Sequence, residues 1–316
     1  MFIITRIPDD IKSYANKWAE KKRAALDLSA RLVSSGLIKR GLNMAACAEQ
    51  MIFRHCQDCG KISVHRASLC RDKLCPICSW RLARKRFAGM HDILSYIAKS
   101  DTVNKYCFYL MTLTVPNVPV YLLSATLSYM SDAWNRLRGR VSMSDTYVAG
   151  WARSVEITYN VFSASFHPHF HILLVAKTGN PSFWFPKITN DWIQCYKGFG
   201  SCSILGQDIR PVYSRDIISS DDNTAALLET FKYTQKSSDL LQMPGNALYE
   251  YATQIAGKRM ISYGGIIKEV KQILAVKDLD SLEDGDDETP SCSYCGSREF
   301  HDILCSWCGV SYTPII

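Results

Sequence analysis

The segment His167-Pro168-His169-Phe170-His171-Ile172-Leu173-Leu174-Val175 constrains the fold of this chain more than any other stretch. Side chains alternate across a β-strand, so His167, His169 and His171 share one face, while Phe170, Ile172 and Leu174 form an apolar face opposite. Three imidazoles in a row are costly to bury without partners, and the whole chain holds only seven histidines. The segment is therefore expected to be a strand with one face in a core and the other at a polar site. Two histidines at i and i+2 make a pair of nitrogen donors for a divalent cation. A single His-x-His is often just an exposed strand; the clustering here argues for metal.

The flanking sequence predicts an α+β domain over 105–275. Tyr106 to Val115 is expected as a strand stopped by Pro116-Asn117. Leu123, Leu127, Met130, Trp134 and Leu137 repeat at helical spacing up to Gly139. Val148 to Tyr159 is a second strand and His167 to Ala176 a third, closed by the turn signal Lys177-Thr178-Gly179-Asn180-Pro181. Helices are expected over 183–196 and 223–238. Adjacent strands after a crossover helix imply an antiparallel sheet with helices packed on one face. Glu156, on the strand that would pair with the histidine strand, offers a hard oxygen suited to Mg²⁺ or Mn²⁺ beside imidazole. Whether Glu156 or His167 is the third ligand stays open.

Glu229, Tyr233 and Lys236 fall at i, i+4 and i+7, which stacks them on one helix face. A phenol with its ordinary pKa of ~10 needs a nearby cation or base to act as a nucleophile. Lys236 and a bound metal could supply the cation, and Glu229 the base. Alone, such a ladder is more often a solvated helix face.

Thirteen cysteines mostly in Cys-x-x-Cys units, with no signal-peptide core at the N-terminus, point to zinc rather than disulfides. Cys56, Cys59, Cys75 and Cys78 are expected to form one four-cysteine site, with Cys70, His55 and His65 as alternative ligands. Cys292, Cys295, Cys305 and Cys308 are expected to form a second, a zinc ribbon over 291–316. A helical segment over 1–52 precedes the first site, whose module is expected to span 53–90. An acidic linker over 278–290 is expected to lead from the 105–275 domain to the ribbon. Arg71, Lys73, Arg81, Arg84, Lys85 and Arg86 crowd the first site and make a candidate phosphate-tracking surface. The net charge is +7, and no apolar run approaches the ~20 residues of a membrane span. A cytoplasmic location is expected.

In order, the chain carries Met111-Thr112-Leu113-Thr114-Val115-Pro116-Asn117, the His-Pro-His-Phe-His strand, and Glu229-Thr230-Phe231-Lys232-Tyr233-Thr234-Gln235-Lys236. This series resembles the HUH endonucleases, in particular the single-tyrosine initiators of rolling-circle plasmid replication. Cys70-Arg71-Asp72-Lys73-Leu74-Cys75-Pro76-Ile77-Cys78 with Trp80-Arg81 is similar to that family's cysteine segment. The resemblance implies a nuclease core of about five antiparallel strands, with the tyrosine helix across its metal-bearing face. It implies His169 and His171 as metal ligands and Tyr233 as the nucleophile, forming a 5′-phosphotyrosine and freeing a 3′-hydroxyl. Glu229 would activate water for the terminating cleavage, and Lys236 would stabilise charge at the phosphate. The implied partners are single-stranded or hairpin origin DNA and a host helicase. Two alternatives are a transposase of the same chemistry and a non-catalytic zinc protein that binds nucleic acid.

Overall fold

A computed structural model describes residues 9–101, 106–177, 181–212, 237–282, 291–292 and 294–315. In chain order the helices are α1 (Asp9–Ser34), α2 (Ile38–Ala45), α3 (Pro76–Ser100), α4 (Leu123–Arg138), α5 (Pro181–Cys195), α6 (Ser237–Gln242), α7 (Gly245–Gln254) and α8 (Ile266–Ile273). The strands are β1 (Gln50–Cys56), β2 (Ile62–Ala67), β3 (Cys107–Thr114), β4 (Val118–Pro119), β5 (Val148–Asn160), β6 (Ser165–Ala176), β7 (Asp208–Val212), β8 (Ile261–Gly265), β9 (Phe300–Trp307) and β10 (Tyr312–Pro314). The chain divides into two compact units, Met1–Arg81 with Ser281–Ile316, and Leu82–Asp280. No described helix is long and apolar enough to cross a membrane.

In the first unit, α1 buries Ala15, Trp18, Ala19, Ala25, Leu28 and Leu32, a stripe at helical spacing. Lys22 lies in the middle of that stripe and is itself fully buried. Its ammonium is satisfied by the carbonyls of Ala45 and Cys47 at 2.6 and 2.8 Å and by the Glu49 carboxylate at 3.0 Å. Helix α2 comes close to α1 at Gly41, where a Cβ would fall 2.6 Å from Val33 Cγ2 and 2.8 Å from the Ser29 carbonyl.

The sheet of this unit has the order β10-β9-β1-β2. Strand β9 pairs antiparallel along all of β1, from Gln50 opposite Ser306 to Cys56 opposite Phe300. The separate ribbon expected over 291–316 is therefore corrected: these residues complete a sheet begun some 250 residues earlier, at β1. Arg54 and Asp302 reinforce the pairing with a two-pronged ion pair at 2.7 and 2.8 Å.

The second unit is built on an antiparallel sheet of order β7-β3-β6-β5-β8, with the short β4 added to β6. The five-strand path agrees with the expected α+β class. The expectation of helices on one face is corrected, because both faces are covered. On the even-numbered face of β6, Phe170 packs against Trp134 of α4 and Trp192 of α5, and Phe166 against Tyr251 of α7. Arg153 lies on the same side, its guanidinium 4.3 Å from the Phe170 ring centre. On the other face Leu110, Ala152, Leu173 and Val175 join Met90, Ile93, Leu94 and Ile97 of α3 and Ile267 and Val270 of α8 in one core.

That second core ends at Leu173, and the next residues along the same face are His171, His169 and His167. One sheet face is thus half core and half polar site. The first residues of the expected acidic linker belong to this unit as well: Leu279 is buried in the core, and Asp280 pairs with Arg86 at 2.8 Å. Residues 283–290 of that stretch lie outside the described residues.

Candidate active site and metal centres

The β5–β6 hairpin sets the register of the polar half-face. Glu156 stands opposite His169 and Ser154 opposite His171, and Thr112 and Thr114 of β3 face His171 and His169 from the other side. His171 Nε2 lies 2.7 Å from Glu156 Oε2, and His169 Nε2 lies 3.4 Å from the same oxygen. The side chains of His169, His171 and Glu156 are 12%, 9% and 24% exposed, so the group is sheltered but reachable.

The second nitrogen of each ring is already engaged. His169 Nδ1 lies 3.3 Å from the His167 carbonyl, and His171 Nδ1 shares a hydrogen bond of 3.3 Å with the Thr112 hydroxyl. With the Nδ1 atoms engaged there, both Nε2 atoms point to the Glu156 oxygen, where each can donate a hydrogen bond to the carboxylate or, deprotonated, ligate a metal.

The Glu156 carboxyl experiences opposed influences. Burial pushes its pKa up, but the hydrogen bonds and charges of His169 and His171 outweigh that and hold it at about 2. It is ionised at neutral pH, and its ligand atom lies with the two Nε2 atoms within 4.8 Å of one another. Neighbouring ligands of an octahedral ion at ~2.1 Å are about 3 Å apart, so the 2.7 and 3.4 Å separations fit a small divalent cation. His167 lies outside this ligand group; its ring is 5.4 Å from that of His169, and burial, then the His169 charge, lowers its pKa. Glu229, Tyr233 and Lys236 lie outside the described residues, as does most of the helix expected over 223–238.

The cysteines are grouped differently from the expected sites. Cys47, Cys70, Cys75 and Cys78 form one cluster, and Cys56, Cys59, Cys292 and Cys295 form the other. Sulfur separations are 3.6 Å for Cys47–Cys78, 3.7 Å for Cys70–Cys78, and 3.6 Å for both Cys56–Cys295 and Cys59–Cys292. Four thiolates at ~2.3 Å around a tetrahedral zinc lie about 3.8 Å apart, so both clusters fit that ion.

Electrostatics favour a cation in these clusters. Hydrogen bonds from Cys70, Cys75 and Cys78 hold the Cys47 thiol well below its ordinary range, while the same crowding pushes Cys78 far above it. A second negative charge in the cluster therefore needs a positive ion. Backbone N–H groups of Cys295 and Tyr294 bring Cys292 down to about 6, as a knuckle turn does.

Two assignments are corrected. Cys305 is fully buried in β9 with its thiol pushed up to about 11 by burial, and Cys308 sits at the exposed end beside Ser311. Neither belongs to a ligand group among the described residues, nor do His55 and His65. Cys47 escaped sequence reasoning because it has no partner at Cys-x-x-Cys spacing. Cys70, an alternative ligand by sequence, is a full member.

Of the basic residues, Arg71 and Arg84 are exposed, and Lys73, Arg81 and Lys85 are half-buried. Arg86 is 4% exposed, donating to the Leu279 carbonyl and to Asp280, each at 2.8 Å. It is removed from the DNA-contact set, since its charge is already neutralised inside the core.

An antiparallel sheet bearing a Glu-His-His ligand group, in a chain with two four-cysteine clusters, defines a metal-competent α+β protein. A family model described as replication protein, Rep_1, matches residues 61–306. The chain belongs to this replication protein family, the plasmid rolling-circle initiators that its motifs resemble. It is 28% identical to a protein rep of Streptococcus pneumoniae over 85% of this chain and 82% of the relative. It is 29% identical to a protein rep of Bacillus amyloliquefaciens over 90% and 88%, and 30% identical to one from a Bacillus species over 78% and 84%. No solved structure matches.

Proposed function

We propose that this plasmid replication initiator starts replication by nicking single-stranded or hairpin origin DNA through Tyr233. The tyrosine oxygen attacks the scissile phosphate, forming a 5′-phosphotyrosine and releasing a 3′-hydroxyl for a polymerase. The phosphotyrosine conserves the bond energy needed for rejoining. Glu156, His169 and His171 would hold a Mg²⁺ or Mn²⁺ ion, which when bound polarises a phosphoryl oxygen and orients in-line attack. Lys236 stabilises charge at the phosphate, and Glu229 activates water for the terminating cleavage. Zn²⁺ in the two cysteine clusters is structural, and Arg71, Lys73, Arg81, Arg84 and Lys85 track phosphates.

The observation that carries this reading is the convergence of two Nε2 atoms and an ionised carboxylate on the polar half of a sheet face. The replication proteins among its relatives favour an initiator over a transposase. The expected test result is a covalent protein–DNA band on a denaturing gel when the protein meets single-stranded origin DNA and Mn²⁺. Chelator and Tyr233→Phe should each abolish it, and an adduct persisting in that variant would sink the nucleophile assignment. Glu229→Ala should still nick but release DNA poorly at termination.

A further inference from the structure

The β3 side of the histidine face carries a feature that the metal site does not use. Thr114 stands opposite His169. Its side chain shares the histidine face, because it lies two residues beyond Thr112, whose hydroxyl meets His171. Residues 201–207 fold back onto Thr114 at this point. Gln207 brackets it: Oε1 accepts from the Thr114 N–H at 2.8 Å, and Nε2 donates to the Thr114 carbonyl and hydroxyl at 3.3 Å each. The Thr114 hydroxyl in turn donates to the Gly206 carbonyl at 3.1 Å.

The turn is also fastened from within. Gln207 Nε2 donates to the Ser203 carbonyl at 2.9 Å, and the Leu205 N–H donates to the Ser203 hydroxyl at 3.2 Å. A Cβ at position 206 would lie 2.5 Å from Thr114 Oγ1, so any larger residue there would have to displace the Thr114 side chain.

This fixed turn lifts Ile204 and Leu205 into solvent, 52% and 93% exposed. A single exposed aliphatic residue is unremarked on most surfaces. Two adjacent ones, on a turn anchored to the residue opposite a proposed metal ligand, are placed. Residues 198–207 contain no charged side chain, so the apex offers no cation to a phosphate. The part of single-stranded DNA that suits an apolar tip is the base, whose face is apolar, and aliphatic side chains such as Leu and Ile are known to wedge against bases in duplex DNA.

We infer that Ile204 and Leu205 form an apolar clamp on a nucleobase of the single strand whose phosphate occupies the Glu156–His169–His171 site. The inference rests on the DNA reading above. The clamp positions the strand and takes no part in bond breaking.

The test compares binding of an oligothymidylate of about 16 nucleotides with an abasic strand of equal length and charge. The intact protein is expected to prefer the thymidylate by about 10-fold, the scale of burying one aliphatic side chain. Ile204→Ser with Leu205→Ser should erase the preference and leave abasic binding unchanged. Leu205→Trp should gain a fluorescence signal quenched by thymidylate and not by the abasic strand. A preference retained in the double variant overturns the clamp. Equal binding of both strands by the intact protein overturns the clamp while leaving the DNA reading in place, and binding of neither overturns both. Loss of self-association in the double variant, with no change in strand preference, would assign the tip to a second copy of the chain and overturn the clamp.

Discussion

The smallest feature with leverage on the site is the Thr112 hydroxyl. It engages His171 Nδ1 at 3.3 Å and so keeps Nε2 directed at Glu156. A ring without that partner can rotate or shift its proton to the ligating nitrogen. Thr112→Val preserves the shape and removes the partner, and outer contacts of this kind are worth about 10–100-fold in metal affinity. Calorimetric titration of the variant with Mn²⁺ should show a loss of that size, with the melting curve little changed. Unaltered Mn²⁺ affinity would mean that the hydroxyl does not orient the ring.

Between elements, the Arg86–Asp280 pair joins the middle of α3 to the segment after α8. Burial alone lowers the pKa of Arg86, and the neighbouring Asp280 and Asp278 oppose that, so the charge is kept by its partners. Removing one partner of a buried pair leaves the other uncompensated and costs about 3–5 kcal/mol. Urea denaturation of Asp280→Ala should show that loss; a change under about 1 kcal/mol would mean water replaces the carboxylate.

This pair also marks what could be read from sequence and what could not. The histidine strand, its Glu156 partner and α4 were legible, because periods of two and of 3.6 residues report local geometry directly. Arg86 looked like one more basic residue in a run, since its acidic partner lies 194 residues away. The cysteines failed in the same way. Cys-x-x-Cys spacing says that two thiols act together, but the β1–β9 pairing decides that Cys56 and Cys59 meet Cys292 and Cys295.

At the scale of the whole molecule, eight cysteines in two clusters predict two equivalents of bound zinc, with Cys305 and Cys308 dispensable. Cys305→Ser with Cys308→Ser should retain both equivalents by native mass spectrometry. A fall to one would restore the pairing expected from sequence spacing. The cluster that draws on both ends of the chain has a further consequence, in time rather than space. Domains form as a chain emerges at about 5–20 residues per second, and Cys56 and Cys59 leave the ribosome long before Cys292 and Cys295 exist. Their metal centre can close only once the chain has been made through Cys295. A chain terminated before Cys292 would keep its histidine strand but lack this centre, so assembly of the first unit doubles as a check that translation passed residue 295.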